Sequence, residues 1–257
     1  MFFLLLESIY LYGKCDTNTD ILVYTSTSFM NIIKQSPLFT SKLKFEINDN
    51  YNNINKACKA RLDLFNLPSI LNYNKILYLD TDILITGNIN KVFEIIKQDK
   101  LYVLEEGTID SDHDYWGKSL FGNEIQKYTD KTAFTSGILL FNNCEKIKNL
   151  FKIINDDINE RKHAFHDQPH IVYNAFKYNL YDNKILKQFA VNNDYNIYSN
   201  KIIHHFPGRP GIYTKKIVVM TKFLNELKKS HMSNTNIFSI IIFIIFEIYK
   251  KILFWIN

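Results

Sequence analysis

The sequence predicts an α/β protein, a mostly parallel mixed sheet flanked by helices on both faces. Three observations carry that expectation. Helical and extended patterns alternate along the chain, as they do where helical crossovers join strands. The run Lys75-Ile76-Leu77-Tyr78-Leu79-Asp80-Thr81-Asp82-Ile83-Leu84-Ile85 reads as a buried strand interrupted by two carboxylates. With 257 residues, 46% of them hydrophobic and 22% charged, the chain can bury one substantial core. Residues 1–230 are expected to form that domain, and 231–257 a polar linker with a hydrophobic tail.

The elements follow in order. Met1 to Glu7 is too short for a signal peptide and lacks a basic start, so it opens an amphipathic helix running toward Tyr12-Gly13. Asp20 to Thr25 is a strand, Met30 to Lys34 lies in a helix stopped at Pro37, and Lys42 to Ile47 is a second strand. Tyr51 to Phe65 carries apolar residues near helical spacing. After the Ile76–Ile85 strand region come a Gly87-Asn88 turn, a helix from Ile89 to Lys97, and a strand from Leu101 to Leu104 that ends in Glu105-Glu106-Gly107. Phe134 to Asn142 is a strand and Lys146 to Asn159 a helix. Gln168 to Lys177 is a helix, Lys201 to Phe206 a strand, and Lys215 to Lys229 a closing helix.

Asp80 and Asp82 are the first candidates for chemistry. Residues i and i+2 of an extended chain share a face, so both carboxylates can meet one ligand. Two hard oxygen donors suit a divalent cation on a substrate diphosphate, with a turn or helix-cap role as the alternative. In open α/β sheets, ligands sit beyond the carboxyl ends of strands, where this pair would lie. His166-Asp167-Gln168-Pro169 precedes a helix; Asp167 either caps it or reaches outward with Gln168. Ile202 to Gly211 delivers His204 and His205 into a Gly/Pro loop that suits phosphate, with Arg209 able to hold its oxygens bidentately. Adjacent histidines on a strand point to opposite faces, so one is structural and the other a ligand.

Several classes drop out. The formal charge of +5 is spread along the chain without a basic block, so nucleic acid is not implied. Cys15, Cys58 and Cys144 form no Cys-x-x-Cys pair, which points to free thiols in a reducing, cytoplasmic compartment and not to structural zinc. Asp110-Ser111-Asp112-His113-Asp114 starts like a calcium loop, but Tyr115 and Phe121 stand where glycine and glutamate are needed. It reads as a solvated loop near the acceptor. Glu105 and Glu106 are either acceptor contacts or an ordinary strand end.

Four motifs in this order, LYLDTDILITGNI, FTSGILLFN, HDQPHIVYN and HHFPGRPG, resemble glycosyltransferase family 8, the retaining glycogenin-like and lipopolysaccharide galactosyltransferase-like enzymes. The resemblance covers roughly residues 5 to 230 and looks closest to viral members of the group. It implies a GT-A-type fold, a nucleotide-sugar donor (usually a UDP-sugar), a sugar or protein acceptor, and Mn²⁺ or Mg²⁺. Carried over, Asp80, Asp82 and His205 match the metal ligands, and His204 is the structural neighbour. Arg61 resembles the basic residue facing donor phosphate or sugar. Ser136 and Gly137 match the element near the donor sugar, and Asp167 and Gln168 the pair near the anomeric carbon. Gly208 belongs to the phosphate-side loop.

The chain also departs from the family. Thr135 stands where asparagine is common, which alters a donor-sugar contact. The family's Lys-Pro-Trp is missing, so Arg209, Lys215 or Lys216 would replace its phosphate contact. Family members open with a strand and loop that bind the nucleoside, and this chain begins at the helix after them. Part of the donor site is therefore expected to be missing. The apolar run from Ile237 to Phe246 is too short to span a bilayer, and Glu247, Lys250 and Lys251 follow it. The expectation is a membrane-surface contact through 237–257, with a dimer contact as the alternative.

Overall fold

The computed structural model describes residues 1–51, 57, 59–208 and 215–231. Helix α1 (Phe2–Tyr12) leads to strand β1 (Ile21–Thr25), helix α2 (Thr27–Lys34) and strand β2 (Leu43–Ile47). Ser26 caps α2 by accepting a bond from the Phe29 amide. Strands β3 (Lys75–Leu79), β4 (Ile83–Ile85), β5 (Leu101–Thr108) and β6 (Thr132–Asn142) follow. Then come helices α3 (Glu145–Glu160) and α4 (Gln168–Lys177) and the short strands β7 (Tyr181–Asp182), β8 (Ala190–Asn192) and β9 (Ile203–His205). A last helix, α5, spans 215–231.

Among the described residues the strands form three sheets, ordered β1-β2, β3-β6-β5-β7 and β4-β9-β8. The α/β class with mixed sheets and flanking helices is as expected, but the parallel share is smaller than the alternation implied. The β1-β2, β5-β7 and β8-β9 pairs are parallel, whereas β6 runs antiparallel to β3 and β5, and β9 antiparallel to β4. The long β6 causes this, entering the centre of its sheet against both neighbours.

That central strand explains its own sequence. Phe134, Leu139 and Phe141 face one core with α3 and α4, while Ile138 and Leu140 face a second core beside α1 and β4. A strand buried on both faces has no polar side to show, hence the unbroken Gly-Ile-Leu-Leu-Phe. Strand β5 alternates in the same way, with Leu101 and Val103 on one side and Tyr102 and Leu104 on the other. Helix α3 contributes Ile147, Leu150, Phe151, Ile154 and Ile158, a stripe at helical spacing. Burying five such side chains is worth on the order of 8–15 kcal/mol before entropy is counted.

Four sequence expectations change. The Ile76–Ile85 region is two strands in separate sheets, because the chain turns at Thr81-Asp82. The helix expected over Tyr51 to Phe65 falls partly outside the described residues; what is described is a 3-10 helix over Ala60–Asn66. The helix from Ile89 to Lys97 shortens to one turn at Asn90–Phe93, and β5 runs on through Glu105, Glu106 and Gly107. Tail residues 232–257, with the membrane-contact expectation, lie outside the described residues, as do Cys58 and Arg209. Cys15 and Cys144 are free thiols. No helix among the described residues is long and apolar enough to cross a membrane.

Candidate active site

The carboxyl end of β3 and the whole of β9 build the site together. Strand β9 pairs Ile83 with His205 and Leu84 with His204, and the Phe206 amide bonds the Asp82 carbonyl at 2.9 Å. This register sets His205 beside Asp82. The two aspartates converge because of the turn between β3 and β4, not because they alternate along one extended strand. One ligand atom from each of Asp80, Asp82 and His205 lies within 4.8 Å of the others. His204 points the other way, its Nδ1 against the Asp194 carbonyl at 3.1 Å and its ring 4.9 Å from Phe223. The division between a structural and a ligand-type histidine thus follows from strand alternation.

Three details test whether these residues fit a cation. His205 is 3% exposed, and its Nδ1 lies 2.8 Å from Asn192 Oδ1. That bond makes Nδ1 the donor and leaves Nε2 as a lone pair, 3.4 Å from Asp82 Oδ1. Asp82 Oδ1 is buried without a hydrogen-bond donor. A lone pair facing an orphaned carboxylate oxygen is the arrangement a cation relieves. Gly137 supplies the space, since a Cβ there would sit 2.8 Å from His205 Nε2 and 3.1 Å from Asp80 Oδ2. The residues fit a divalent metal with mixed oxygen and nitrogen ligands.

Positive charge surrounds this trio. Lys216 of α5 meets Asp82 Oδ2 at 2.5 Å. Burial raises the Asp82 carboxyl and Lys216 pulls it the other way, and the net shift is downward. Arg61, from the 3-10 helix, reaches Asp80 at 3.5 Å, Asp167 at 2.7 Å and the Ser136 carbonyl at 2.5 Å. Its guanidinium lies 5.1 Å over the Tyr78 ring, and Tyr78 Oη donates to Asp80 Oδ1 at 2.5 Å.

Asp167 stands at the N-cap of α4 but makes no side-chain capping bond. Its carboxylate is buried and turns to Arg61 instead, so the capping alternative is not the one realised. Burial pushes that carboxyl up, against the pull of Arg61. Gln168 Oε1 accepts from the Ser136 amide and hydroxyl at 3.1 and 3.2 Å, while its Nε2 donates to the Tyr115 carbonyl at 3.2 Å. Thr135 Oγ1 accepts from the Gly137 amide at 3.2 Å. Gly208, with Arg61, Asp80, Asp82 and Lys216, lines one cavity of about 1280 Å³.

The acidic neighbours separate. Glu105 pairs with Lys184 and Lys187 at the surface. Glu106 is held beside Thr135 and His205, and burial pushes its carboxyl up. Asp114 meets His163 at 2.9 Å and accepts from the Ser119 amide at 3.1 Å, so it organises its own loop. Sequence reasoning missed Tyr78, Asn192 and the inward position of Glu106. Only Tyr78 left a signal, lying two residues before Asp80 on the same strand face.

The model of the family described as "Glycosyl transferase family 8" matches residues 16–199, well over half of the chain. The chain belongs to glycosyltransferase family 8. Solved structures agree on the fold. The galactosyltransferase LgtC, solved with donor and acceptor sugar analogues, superposes with a TM-score of 0.60 at 17% identity, covering 87% of this chain and 90% of LgtC. The bifunctional glycosyltransferase WbbM in its apo form gives 0.58 at 16% identity, covering 88% of this chain but only 48% of WbbM. Mouse xyloside xylosyltransferase 1 gives 0.53 at 14%, covering 79% of this chain and 90% of that one. No curated protein sequence matches the chain. In this family 8 glycosyltransferase, of a fold shared with LgtC, the four sequence motifs meet at the Asp80, Asp82 and His205 trio, Gly137, and the Arg61 links to Ser136 and Asp167.

Proposed function

We propose that this family 8 glycosyltransferase moves a sugar from a nucleotide-sugar donor, a UDP-sugar first of all, to a hydroxyl of a sugar or protein acceptor. The anomeric configuration is retained, and Asp80, Asp82 and His205 hold Mn²⁺ or Mg²⁺. The observation that carries this reading is the convergence of those three ligand atoms over the side-chain-free space at Gly137.

Bound there, the cation would supply Lewis-acid neutralisation of the departing diphosphate. The chain's own groups do the rest. Lys216 and Arg61 set two fixed positive charges on either side of the aspartates, where leaving-group charge builds up. Arg61 also ties Asp80, Ser136 and Asp167 into one rigid group, so the donor meets a preorganised surface. Asp167 and Gln168 are the side chains we set against the anomeric carbon. Support comes from their shared attachment to Arg61 and Ser136.

The test is turnover of a panel of nucleotide sugars by the purified chain with Mn²⁺, with product anomers read by NMR. One donor is expected to be consumed with retention, and a chelator should stop it. Asp82→Asn should lower turnover at least about a hundredfold, since a ligand matters more than the partners behind it. Full activity of Asp82→Asn in chelator would sink the metal assignment.

A further inference from the structure

The 3-10 helix Ala60–Asn66 presents Arg61 to the candidate active site, and it is an unusual carrier for such a residue. A 3-10 helix has poorer hydrogen-bond geometry than an α-helix, and runs beyond three or four residues are uncommon. This one has seven residues, and no side chain caps its start at Lys59. A segment of that kind keeps its shape through contacts outside itself.

Three residues complete one turn of a 3-10 helix, so Arg61, Leu62 and Asp63 point in three directions about 120° apart. Each direction has its own partners. Arg61 goes to Asp80 and Asp167, with Nε 2.7 Å from Asp167 Oδ2. Leu62 belongs to the core that includes Phe151 and Ile154 of α3, and its carbonyl accepts from Asn155 Nδ2 at 2.9 Å. Asp63 turns to the β1-β2 sheet. Its Oδ2 accepts from Tyr24 Oη of β1 at 3.3 Å and also from Tyr51 Oη. The two tyrosines pack edge to face, with ring centroids 5.5 Å apart. Asn48, the residue after β2, donates from Nδ2 to Tyr24 Oη at 2.7 Å. Burial, with Asp63 adding to it, pushes both phenols up, so they stay protonated donors at neutral pH.

The three anchors divide the work. Leu62 and its carbonyl hold the helix against α3 along one side, and Asp63 stops it from rotating about that contact. The same rotation decides where Arg61 points. Arg61 holds two carboxylates and the Ser136 carbonyl at once, which only one setting of the helix allows. A misplacement of about 1 Å in a group of this kind can cost a hundredfold in rate.

We propose that Asp63 is a positioning residue for Arg61. Its two tyrosine bonds fix the rotation of the 3-10 helix, and so the point at which Arg61 meets the donor. What Arg61 acts on rests on the function proposed above; that Asp63 aims it does not.

The experiment reads the arginine Nε–H signals of the full chain by ¹H–¹⁵N NMR, with the exchange of each against water. The sequence has three arginines, Arg61, Arg161 and Arg209, so Arg61→Lys and Arg161→Lys assign the two signals of interest. Arg161, bonded to Asp157 within α3 and its end, is the internal control. In Asp63→Ala the Arg61 Nε–H should exchange at least about tenfold faster, while Arg161 keeps its rate. Tyr51→Phe keeps the ring and removes one hydroxyl, so it should act in the same direction with a smaller effect; it carries the comparison if Asp63→Ala fails to fold. Asp63→Asn can offer its amide oxygen to both hydroxyls and should restore most of the protection. With a nucleotide sugar that is consumed, Asp63→Ala should lower kcat/KM about tenfold in the chain with Arg61 and add nothing to Arg61→Ala. Unchanged Arg61 exchange overturns the proposal, and so does an equal rise at Arg161. Asp63→Asn behaving like Asp63→Ala, or losses that simply add, overturns it too. If no donor is consumed by any form, the proposed function fails alone, and the exchange rates still decide the role of Asp63.

Discussion

At Gly137 the missing side chain leaves room between His205 and Asp80. The residue sits where β6 passes the β3–β4 turn, and an added methyl would meet the His205 ring and the Asp80 carboxylate. The ring cannot retreat easily, because it is buried and its Nδ1 is tied to Asn192. Gly137→Ala should therefore abolish Mn²⁺ binding while leaving the fold intact. Asn192→Ala acts more gently. It frees the ring and its tautomer, and metal affinity should fall about 10–100-fold, in the range seen for partners behind a ligating histidine. Isothermal titration with Mn²⁺ and circular dichroism on both variants check the pair. Wild-type affinity in Gly137→Ala would mean that the cation does not sit over this residue. That Asp80, Asp82 and one of two adjacent histidines are candidate ligands was legible in the sequence, because polar residues interrupt apolar strands only for a reason; which histidine came from the family resemblance. Asn192 was not, because nothing local marks a residue whose partner comes from another strand.

At the scale of elements, helices α3 and α4 are joined by a buried polar cluster. Asp157 of α3 accepts from Asn174 at 2.9 Å and from Arg161 Nε at 2.6 Å, and its Oδ2 lies 2.9 Å from His170 Nδ1. His170 is fully buried, and its Nε2 has no partner among the described residues. Burial lowers its pKa, outweighing the pull of Asp157, so the folded protein resists protonating it. With the folded pKa below the unfolded value of about 6.5, its stability contribution is complete above that pH and is lost as pH falls. Asp157, lowered by its three donors, adds loss only at more acid pH, below the unfolded carboxylate value of about 3.9. The melting temperature should fall between pH 7 and pH 5. His170→Asn, which can keep the bond to Asp157, should reduce that fall while lowering the plateau at pH 7. An unchanged slope would assign the fall elsewhere, to His204 first, whose pKa burial also lowers. Long elements such as α3 and β6 were legible because their burial pattern repeats. The two-residue β7 and three-residue β8 were not, being too short for a period to register. The split between β3 and β4 was hidden because apolar residues flank the turn on both sides.

For the whole molecule, the described residues carry every part of the candidate site apart from Arg209, while the run from Ile237 to Phe246 carries none of it. We infer that 237–257 serves attachment. The run is shorter than the roughly 20 apolar residues a bilayer crossing requires. Glu247, Lys250 and Lys251 would stand near the middle of any longer span, at about 2.5–3.5 kcal/mol for each charge. The same residues suit a membrane surface, with isoleucine and phenylalanine below the headgroups and Trp255 and the lysines among them. Removing 237–257 should leave the melting temperature and Mn²⁺ affinity unchanged. It should also abolish flotation with anionic vesicles. Added salt should weaken flotation of the full chain, because lysine attraction to anionic lipid is screened. Equal flotation with and without the tail would place the attachment on the folded domain. A truncated chain that loses self-association and not flotation would make the tail a contact between copies.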